Sequence, residues 1–552
     1  MAWIAKHKIE TLIAGLFFIL LFLRFFNMEV RSPEYDELWT IHNYVNIPAG
    51  KIFTDVVTPN NHPLNSFLIR ISTSFFGMSM FTIRLPALLA FCGLFALCIA
   101  AARNFMNSTA ARAAFLLLVL LNGGILHYAE TARGYSLQTF FVFAAFLSLL
   151  LFEKFREQKK KTVLYGLLFL LSAAGTCLSV SSGVIFITAL TAAWWIFHTP
   201  FREGLRSIFI RQKILWIFLV LFALFVLLWY GGNYSEFAKG RNSFGTSITG
   251  FFPFLLFAGD TLYATGAAVM VLAAVAGLFL VRDLEKQRLL RTILGTVLLV
   301  LLSAVVLKGG PPRVYLPLLP LSAFAFGVFF DDLIERSEKL RKYGNLILVA
   351  ICAAGVLWSN KQYQEWSDPD LGAAWQELKE KVSPEIFIAY RPTDAYVLFS
   401  IFGEEIVKDN FRRMESPRLL MLFHDNELGC INFSDKSSRI FPVSAPANES
   451  GVLKAGIPYW IYLLRKPRSG ENLNRKNVIC IISGTTYPAI LAPDSWLKKE
   501  FAVVNFFFTR NLTSLELPVV NVFAAGSPSM TAEEMNRLER EDSSIRFYVL
   551  GE

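Results

Sequence analysis

Two adjacent carboxylates, Asp36 and Glu37, stand in the stretch NMEVRSPEYDELWTIHNY, residues 27–44, directly after a long apolar run. A carboxylate at a membrane surface can take a proton from a hydroxyl or an amine, which makes it a candidate general base. Other groups able to do chemistry recur at comparable places: His62 in NNHPL, Arg84 in RLP, Glu130 and Arg133 in HYAETARGY, and Lys308 and Arg313 on either side of GGPP. Arginine and lysine so placed can stabilise charge on a departing phosphate. Carboxylates and cations at one membrane surface suit a reaction in which an acceptor loses its proton while a phosphate leaves.

Each residue also has a plainer reading. The acidic pair could be solvated, His62 before Pro63 could cap a turn, and Arg84 could anchor at the headgroups. Arg133 with Tyr135 could form an interfacial anchor, with Glu130 its surface partner. The segment Lys308 to Arg313 could hold a phosphate or simply connect two helices.

The elements that must position these residues are membrane helices. The chain has 552 residues, 54% of them hydrophobic and 52 of them Phe, and its mean hydropathy is +0.46. That is too apolar for an ordinary soluble globule and too long for one packed domain. Apolar runs predict about eleven spans, at residues 9–27, 82–101, 113–127, 135–152, 162–179, 183–198, 214–230, 261–281, 289–307, 314–330 and 344–358. The alternate loops EKFREQKKK, FREGLRSIFIRQK, RDLEKQRLLR and ERSEKLRKYG are rich in Lys and Arg, and RNFMNSTAAR carries two Arg. The positive-inside rule places them in the cytoplasm, so residues 27–70, the HYAETARGY corner, GGNYSEFAKGRNSFG, KGGPPRVY and the tail face outward. The net charge of +10 then belongs to topology and anionic lipid rather than to a nucleic-acid partner. Residues 64–81 are amphipathic and read as an interfacial helix, and residues 251–260 as an interfacial or re-entrant piece.

Beyond residue 360 the apolar runs stop. Residues 1–360 form the membrane domain and 361–552 an outer α/β domain, in which EIFIAY, NVICIIS, FAVVNFFF, LPVVNVF and RFYVL read as strands. TDAYVLFSIF and MTAEEMNRLERE read as helices, the second with a capping box of Thr531 and Glu534. Four cysteines lie in apolar runs; Cys430 and Cys480 lie in the tail, where a disulfide would need an oxidising compartment. Arg465, Lys466 and Arg468 form either a solvated face or a contact for an anionic acceptor. The basic start running into a full-length span reads as a retained signal anchor.

The motifs DE, HPL, RLP, HYAETARGYSL and PPRVYLPLLP occur in that order. This layout resembles the GT-C superfamily of membrane glycosyltransferases, in the branch of the protein O-mannosyltransferases and aminoarabinose transferases that use polyprenyl-phosphate-linked sugars. The resemblance covers the membrane part, and the tail matches only in kind. It implies that Asp36 deprotonates the acceptor and that Glu37 orients Asp36 or the acceptor. It also implies that His62 lies near the donor, and that Arg133 and Arg313 contact the lipid phosphate, with Lys308 a less secure ligand. Tyr135 and Tyr315 would shape that site, and Glu130 would position Arg133 or line the sugar pocket, with Arg84 in support. The acceptor would be a protein, a lipid or a polysaccharide, and the location the bacterial inner membrane with the active site on the periplasmic side. The branch generally works without a metal, although Asp36, Glu37, Glu130 and His62 leave room for a divalent ion. Pro63-Leu64 departs from the second proline of many relatives, and the WWDYG signature of oligosaccharyltransferases is absent. A transporter or flippase is the rival class, but such proteins place substrate-binding charges near the bilayer midplane rather than at one end.

Overall fold

The computed structural model describes residues 8–45, 47–54, 61–198, 213–233, 248–366, 371–381, 386–389, 397–398, 400–402, 419–424, 427–432, 440–444, 459–464, 478–483, 519–525, 533, 536–537, 540 and 546–550. Two compact units emerge, one of Met1–Glu29 with Thr40–Ser367 and one of Val30–Trp39 with Asp368–Glu552.

The first unit is helical. In chain order its elements are α1 (Lys8–Val30), α2 (Tyr35–Thr40), a π-turn (Ile41–Val45), α3 (Ala49–Thr54), α4 (Pro63–Phe76), α5 (Met80–Phe105), α6 (Thr109–Leu120), α7 (Gly123–Ala129), α8 (Tyr135–Lys154) and α9 (Lys159–Ser179). There follow α10 (Gly183–His198), α11 (Lys213–Gly232), α12 (Phe251–Ala264), α13 (Ala268–Leu280), α14 (Leu284–Leu307), a 3-10 turn (Pro312–Tyr315), α15 (Leu318–Arg336) and α16 (Glu338–Trp366). The residues Val30–Trp39, at the end of α1 and in most of α2, group with the second unit.

Among the described residues, seven helices are long and apolar enough to cross a membrane, or nine if each of two bent pairs counts as one span. The chain is an integral membrane protein. Three of the four differences from the eleven expected spans have local causes. Residues 113–127 are split between α6 and α7, which meet at 57°, because Asn122 caps the new helix by accepting the Ile125 N–H at 3.0 Å. Residues 261–281 are not one continuous helix: α12 and α13 are bent by 110°, and Gly266 takes the turn at φ +77°, a conformation open to glycine. Residues 251–260 are thereby joined to 261–264 in one helix. Residues 183–198 form a helix of 16 residues, short for the hydrocarbon core.

The core gathers on α8, the most buried of the seven. Phe324 of α15 meets Phe115 of α6 at 5.5 Å and Phe146 of α8 at 5.4 Å between ring centres. By contrast α1 and α11 present Phe18, Phe22, Phe26, Leu224, Leu227 and Leu228 outward, as lipid-facing helices do. The amphipathic segment expected near residues 64–81 is α4, which buries Asn65, Ser66, Ile69 and Ser72 and exposes Ile71, Phe75 and Phe76.

At the other end of the bundle, Asp331 accepts the Ser108 N–H at the start of α6 at 2.7 Å and pairs with Lys286 at 2.8 Å. Lys286 also reaches Glu335 at 2.7 Å. The hydrogen bonds from Lys286 and Asn107 hold the Glu335 carboxyl below the usual range. A depressed folded-state pKa gives stability that is present above the unfolded value of about 4.3 and lost as the pH falls through the folded one. Glu335→Gln is therefore expected to cost stability at neutral pH and none in acid, as a denaturation series across pH would show. Glu335 is 40% exposed, so the effect is small.

The second unit contains α17 (Gly372–Lys381) and strands β1 (Ile386–Ala389), β2 (Leu419–His424), β3 (Glu427–Asn432), β4 (Ile440–Ser444), β5 (Tyr459–Leu464), β6 (Val478–Ser483), β7 (Val519–Ala525) and β8 (Arg546–Leu550). They form a five-stranded sheet in the order β1-β6-β5-β7-β8 and a three-stranded one in the order β2-β3-β4. The pairs β1–β6 and β7–β8 are parallel, and the remaining pairs antiparallel. EIFIAY, NVICIIS, LPVVNVF and RFYVL supply strands; β2 to β5 are additional to those read from the sequence. FAVVNFFF, the run Arg465 to Arg468, most of GGNYSEFAKGRNSFG and MTAEEMNRLERE, and half of TDAYVLFSIF lie outside the described residues. So do the side chains of Cys430 and Cys480, whose backbones belong to different sheets.

Candidate active site

The ARGY corner is made by two caps and one close approach. α7 ends at Glu130, the chain turns through Thr131 to Gly134, and α8 starts at Tyr135. A Cβ on Gly134 would collide with the Ser179 carbonyl oxygen and come within 2.9 Å of the His62 Cβ. Only glycine lets this corner sit so tightly against the end of α9 and the residue before α4. Gly134→Ala is expected to displace the corner, costing about 1–3 kcal/mol and lowering activity, whereas Ala132→Gly would not displace it; denaturation and turnover of both variants check this.

Around the corner the residues singled out in the sequence come together. His62 is buried and its Nδ1 lies 2.9 Å from the Ser179 carbonyl oxygen, an acceptor, so Nδ1 carries a proton and donates it. Its ring meets that of Tyr135 edge-on, with centres 5.1 Å apart. The Arg313 Nε donates to the Tyr135 hydroxyl at 3.1 Å. Arg133 is buried, its guanidinium carbon 5.7 Å from the Tyr135 ring centre, and its Nη1 donates to the Thr40 hydroxyl at 3.4 Å. Two guanidiniums thus share one buried phenol, an arrangement that a phosphate would stabilise. Tyr315 is tied to the turn that carries Arg313, its hydroxyl accepting the Gly310 N–H at 3.3 Å. Burial pushes its phenol above the usual tyrosine range, partly offset by that hydrogen bond.

Three of the expected residues take other places. Arg84 is buried rather than at the headgroups: its Nη1 donates to the Met28 carbonyl at 2.9 Å, while Glu29 accepts the Phe81 N–H at 2.8 Å. The end of α1 and the start of α5 therefore cap each other, and this fixes where the chain leaves the first span. Glu130 does not lie at the surface. It is buried, accepts from the Tyr363 hydroxyl, and lies 3.1 Å from Arg24 Nη1 of α1, in an ion pair whose N–H is not aimed at the oxygen. Lys308 closes α14 with φ 63° and makes no hydrogen bond to the Tyr135 group among the described residues.

Arg24 and Tyr363 had not been singled out. A single Arg inside FILLFLRFFN is a usable signal, because a charge within a span asks for a partner. No pattern marks Tyr363. Its neighbour Gln362 accepts from Asn122 at 2.9 Å and from the Gly123 N–H at 3.1 Å, and donates to the Ala264 carbonyl at 2.5 Å. Asn122 also donates to the Thr265 carbonyl at 3.1 Å. Both helix breaks are thus pinned to α16, and the backbone groups that the breaks set free are satisfied.

Asp36 and Glu37 belong to the second unit. There, Glu37 is buried and accepts the Glu34 N–H at 2.9 Å, bracing the first turn of α2. Arg31 pairs with Glu34 at 2.5 Å, and the Ser32 hydroxyl accepts the Leu371 N–H at 2.8 Å. Asp36 is half-buried, and the same short helix ends at Thr40. Among the described residues no three His, Cys, Asp or Glu side chains gather as metal ligands would.

No family model and no curated protein matches the chain. Solved structures do. The chain is similar to ArnT from Cupriavidus metallidurans bound to undecaprenyl phosphate, at 12% identity over 74% of this chain and 88% of that one, with a TM-score of 0.47. It is similar to the apo oligosaccharyltransferase of Archaeoglobus fulgidus at 10% identity over 74% of this chain and 64% of that one, with a TM-score of 0.48. It is also similar to AglB of Archaeoglobus fulgidus in complex with an inhibitory peptide and a dolichol-phosphate, at 12% identity over 73% and 64%, with a TM-score of 0.43. The chain therefore spans less than two thirds of the archaeal structures, and residue roles here rest on its own geometry.

Proposed function

We propose that the protein is a GT-C-type glycosyltransferase that moves a sugar from a polyprenyl-phosphate-linked donor to an acceptor outside the cytoplasm. The observation that carries this reading is the meeting of Arg133 and Arg313 at Tyr135, beside His62. These groups recognise a phosphate monoanion or diester by charge and by hydrogen bonds, and the motif resemblance names a lipid phosphate.

In the proposed reaction Asp36 accepts the proton of the acceptor hydroxyl or amine. The freed lone pair bonds to the anomeric carbon from the face opposite the phosphate, and the bond from that carbon to the phosphate oxygen breaks. Inversion follows from this single displacement. The electron pair leaves on polyprenyl phosphate, where Arg133 and Arg313 stabilise it. A phosphate is a weak base, so no strong general acid is needed. Glu37 holds the helix that carries Asp36, and Glu130 holds the corner that carries Arg133. The basic loops put the acceptor side outside the cytoplasm, in keeping with a bacterial inner-membrane enzyme.

The test is turnover. Purified protein in liposomes, given a panel of labelled polyprenyl-phosphate sugars with candidate acceptors, is expected to release polyprenyl phosphate from at least one donor. Solute flux without release from any donor would favour a transporter instead.

A further inference from the structure

Among the described residues, three buried amide or hydroxyl side chains near the corner carry atoms with no hydrogen-bond partner: both amide atoms of Asn65, the hydroxyl of Thr131 and the Oε1 of Gln138. All three residues are fully buried. Each lies within three residues of a group already placed around Tyr135: Asn65 follows His62 by one turn of α4, Thr131 precedes Arg133, and Gln138 follows Tyr135 by one turn of α8. Asn65 shares a helix face with Ile69, which packs with Ala132, next to Thr131, and with Val45 and Ile83. The Gln138 Nε2 is already committed to the Ser182 hydroxyl at 3.0 Å, which turns its Oε1 into the available acceptor.

An unmatched buried polar atom costs about 1–3 kcal/mol, and three residues bearing them beside one corner ask for an explanation. Their chemistry separates them from the arginines. Arg133 and Arg313 only donate, which suits an anion. Asn65 donates and accepts, Thr131 does both through one hydroxyl, and Gln138 accepts; a phosphate would be repelled by the carbonyl oxygens of Asn65 and Gln138. A sugar hydroxyl, which both donates and accepts, is complementary to this mixed set.

We infer that Asn65, Thr131 and Gln138 form the subsite for the hydroxyl groups of the transferred sugar, one turn away from the groups that bind its phosphate. The inference rests on the proposed function and names the part of the donor that this second set of residues reads. The lipid phosphate supplies binding energy common to all donors, and the mixed set supplies choice among sugars, because a site built to hydrogen-bond a hydroxyl discriminates strongly against a ligand that lacks it.

The full-length protein in lipid nanodiscs is titrated with polyprenyl phosphate, and with polyprenyl phosphomannose and polyprenyl phospho-aminoarabinose. The wild type is compared with Asn65→Leu and with the near-isosteric Thr131→Val. Both variants are expected to bind sugarless polyprenyl phosphate as the wild type does and to lose about ten-fold in affinity for the preferred sugar-linked lipid. Both are also expected to melt at or above the wild-type temperature, since each removes an unmatched polar group. Wild-type discrimination between sugar-linked and sugarless lipid in both variants would overturn the subsite, as would a lowered melting temperature in both with that discrimination intact. Failure of the wild type to bind any of the three lipids would instead overturn the function on which the subsite depends.

Discussion

Asp36→Asn is expected to lower turnover by about 10²- to 10⁴-fold, the range a positioned general base contributes. Asparagine keeps the size of the side chain and its ability to accept from a hydroxyl, but it cannot take the acceptor's proton. The loss should fall on kcat. Binding of polyprenyl phosphate should be unchanged, because the proposed phosphate ligands are Arg133 and Arg313, which keep their side chains. Glu37→Gln makes the useful contrast. Glu37 is buried and already engaged with the Glu34 N–H, so its amide would weaken the start of α2 and lower activity through structure, with a fall in stability that Asp36→Asn does not share. Kinetics and denaturation of the two variants, measured side by side, separate a base from a brace. Full turnover in Asp36→Asn would refute the base assignment.

Arg24→Met is expected to be the most damaging change to stability away from the candidate site. It removes one cation from the buried Glu130 carboxylate, and breaking one side of a buried ion pair costs about 3–5 kcal/mol. The hydroxyl of Tyr363 still donates to Glu130, and the Arg24 N–H is poorly aimed at it, so the lower end of that range applies. Replacing both partners, Arg24→Met with Glu130→Leu, removes the stranded charge and should recover most of the loss. Denaturation in detergent measures both. The pair also joins α1 to the corner that sets Arg133, so Arg24→Met should weaken binding of polyprenyl phosphate at a distance, whereas the double variant should restore stability more fully than binding.

The sequence made some parts of this arrangement readable and hid others for physical reasons. Long apolar runs marked α5, α8, α9 and α14, because spanning a bilayer demands both length and apolar composition. Amphipathic spacing marked α4. The same rule failed where a helix is broken and its freed backbone groups are satisfied from a distance: nothing near Asn122 or Gly266 announces that Gln362, about a hundred or more residues along the chain, closes both breaks. Arg133, Tyr135 and Arg313 could be singled out as charged or polar residues at the ends of spans, and the fold brings them together. Arg84 and Glu130 were found for the same reason, yet they are buried caps and ion-pair partners. A charged residue's type says that it needs a partner, and only the fold says whether that partner is substrate or backbone. Asn65, Thr131 and Gln138 carry no charge, so nothing distinguished them from ordinary polar residues until their surroundings were known.

A lipid phosphate is expected to bind at Tyr135, between Arg133 and Arg313. A structure of the full-length protein with polyprenyl phosphate in a nanodisc tests it most directly. The account predicts phosphate density within hydrogen-bonding distance of the guanidiniums of Arg133 and Arg313, with weaker density in the Arg313→Gln variant. Phosphate bound at the Lys286–Asp331 end of the bundle, or held equally well by Arg313→Gln with Arg133→Gln, would contradict it.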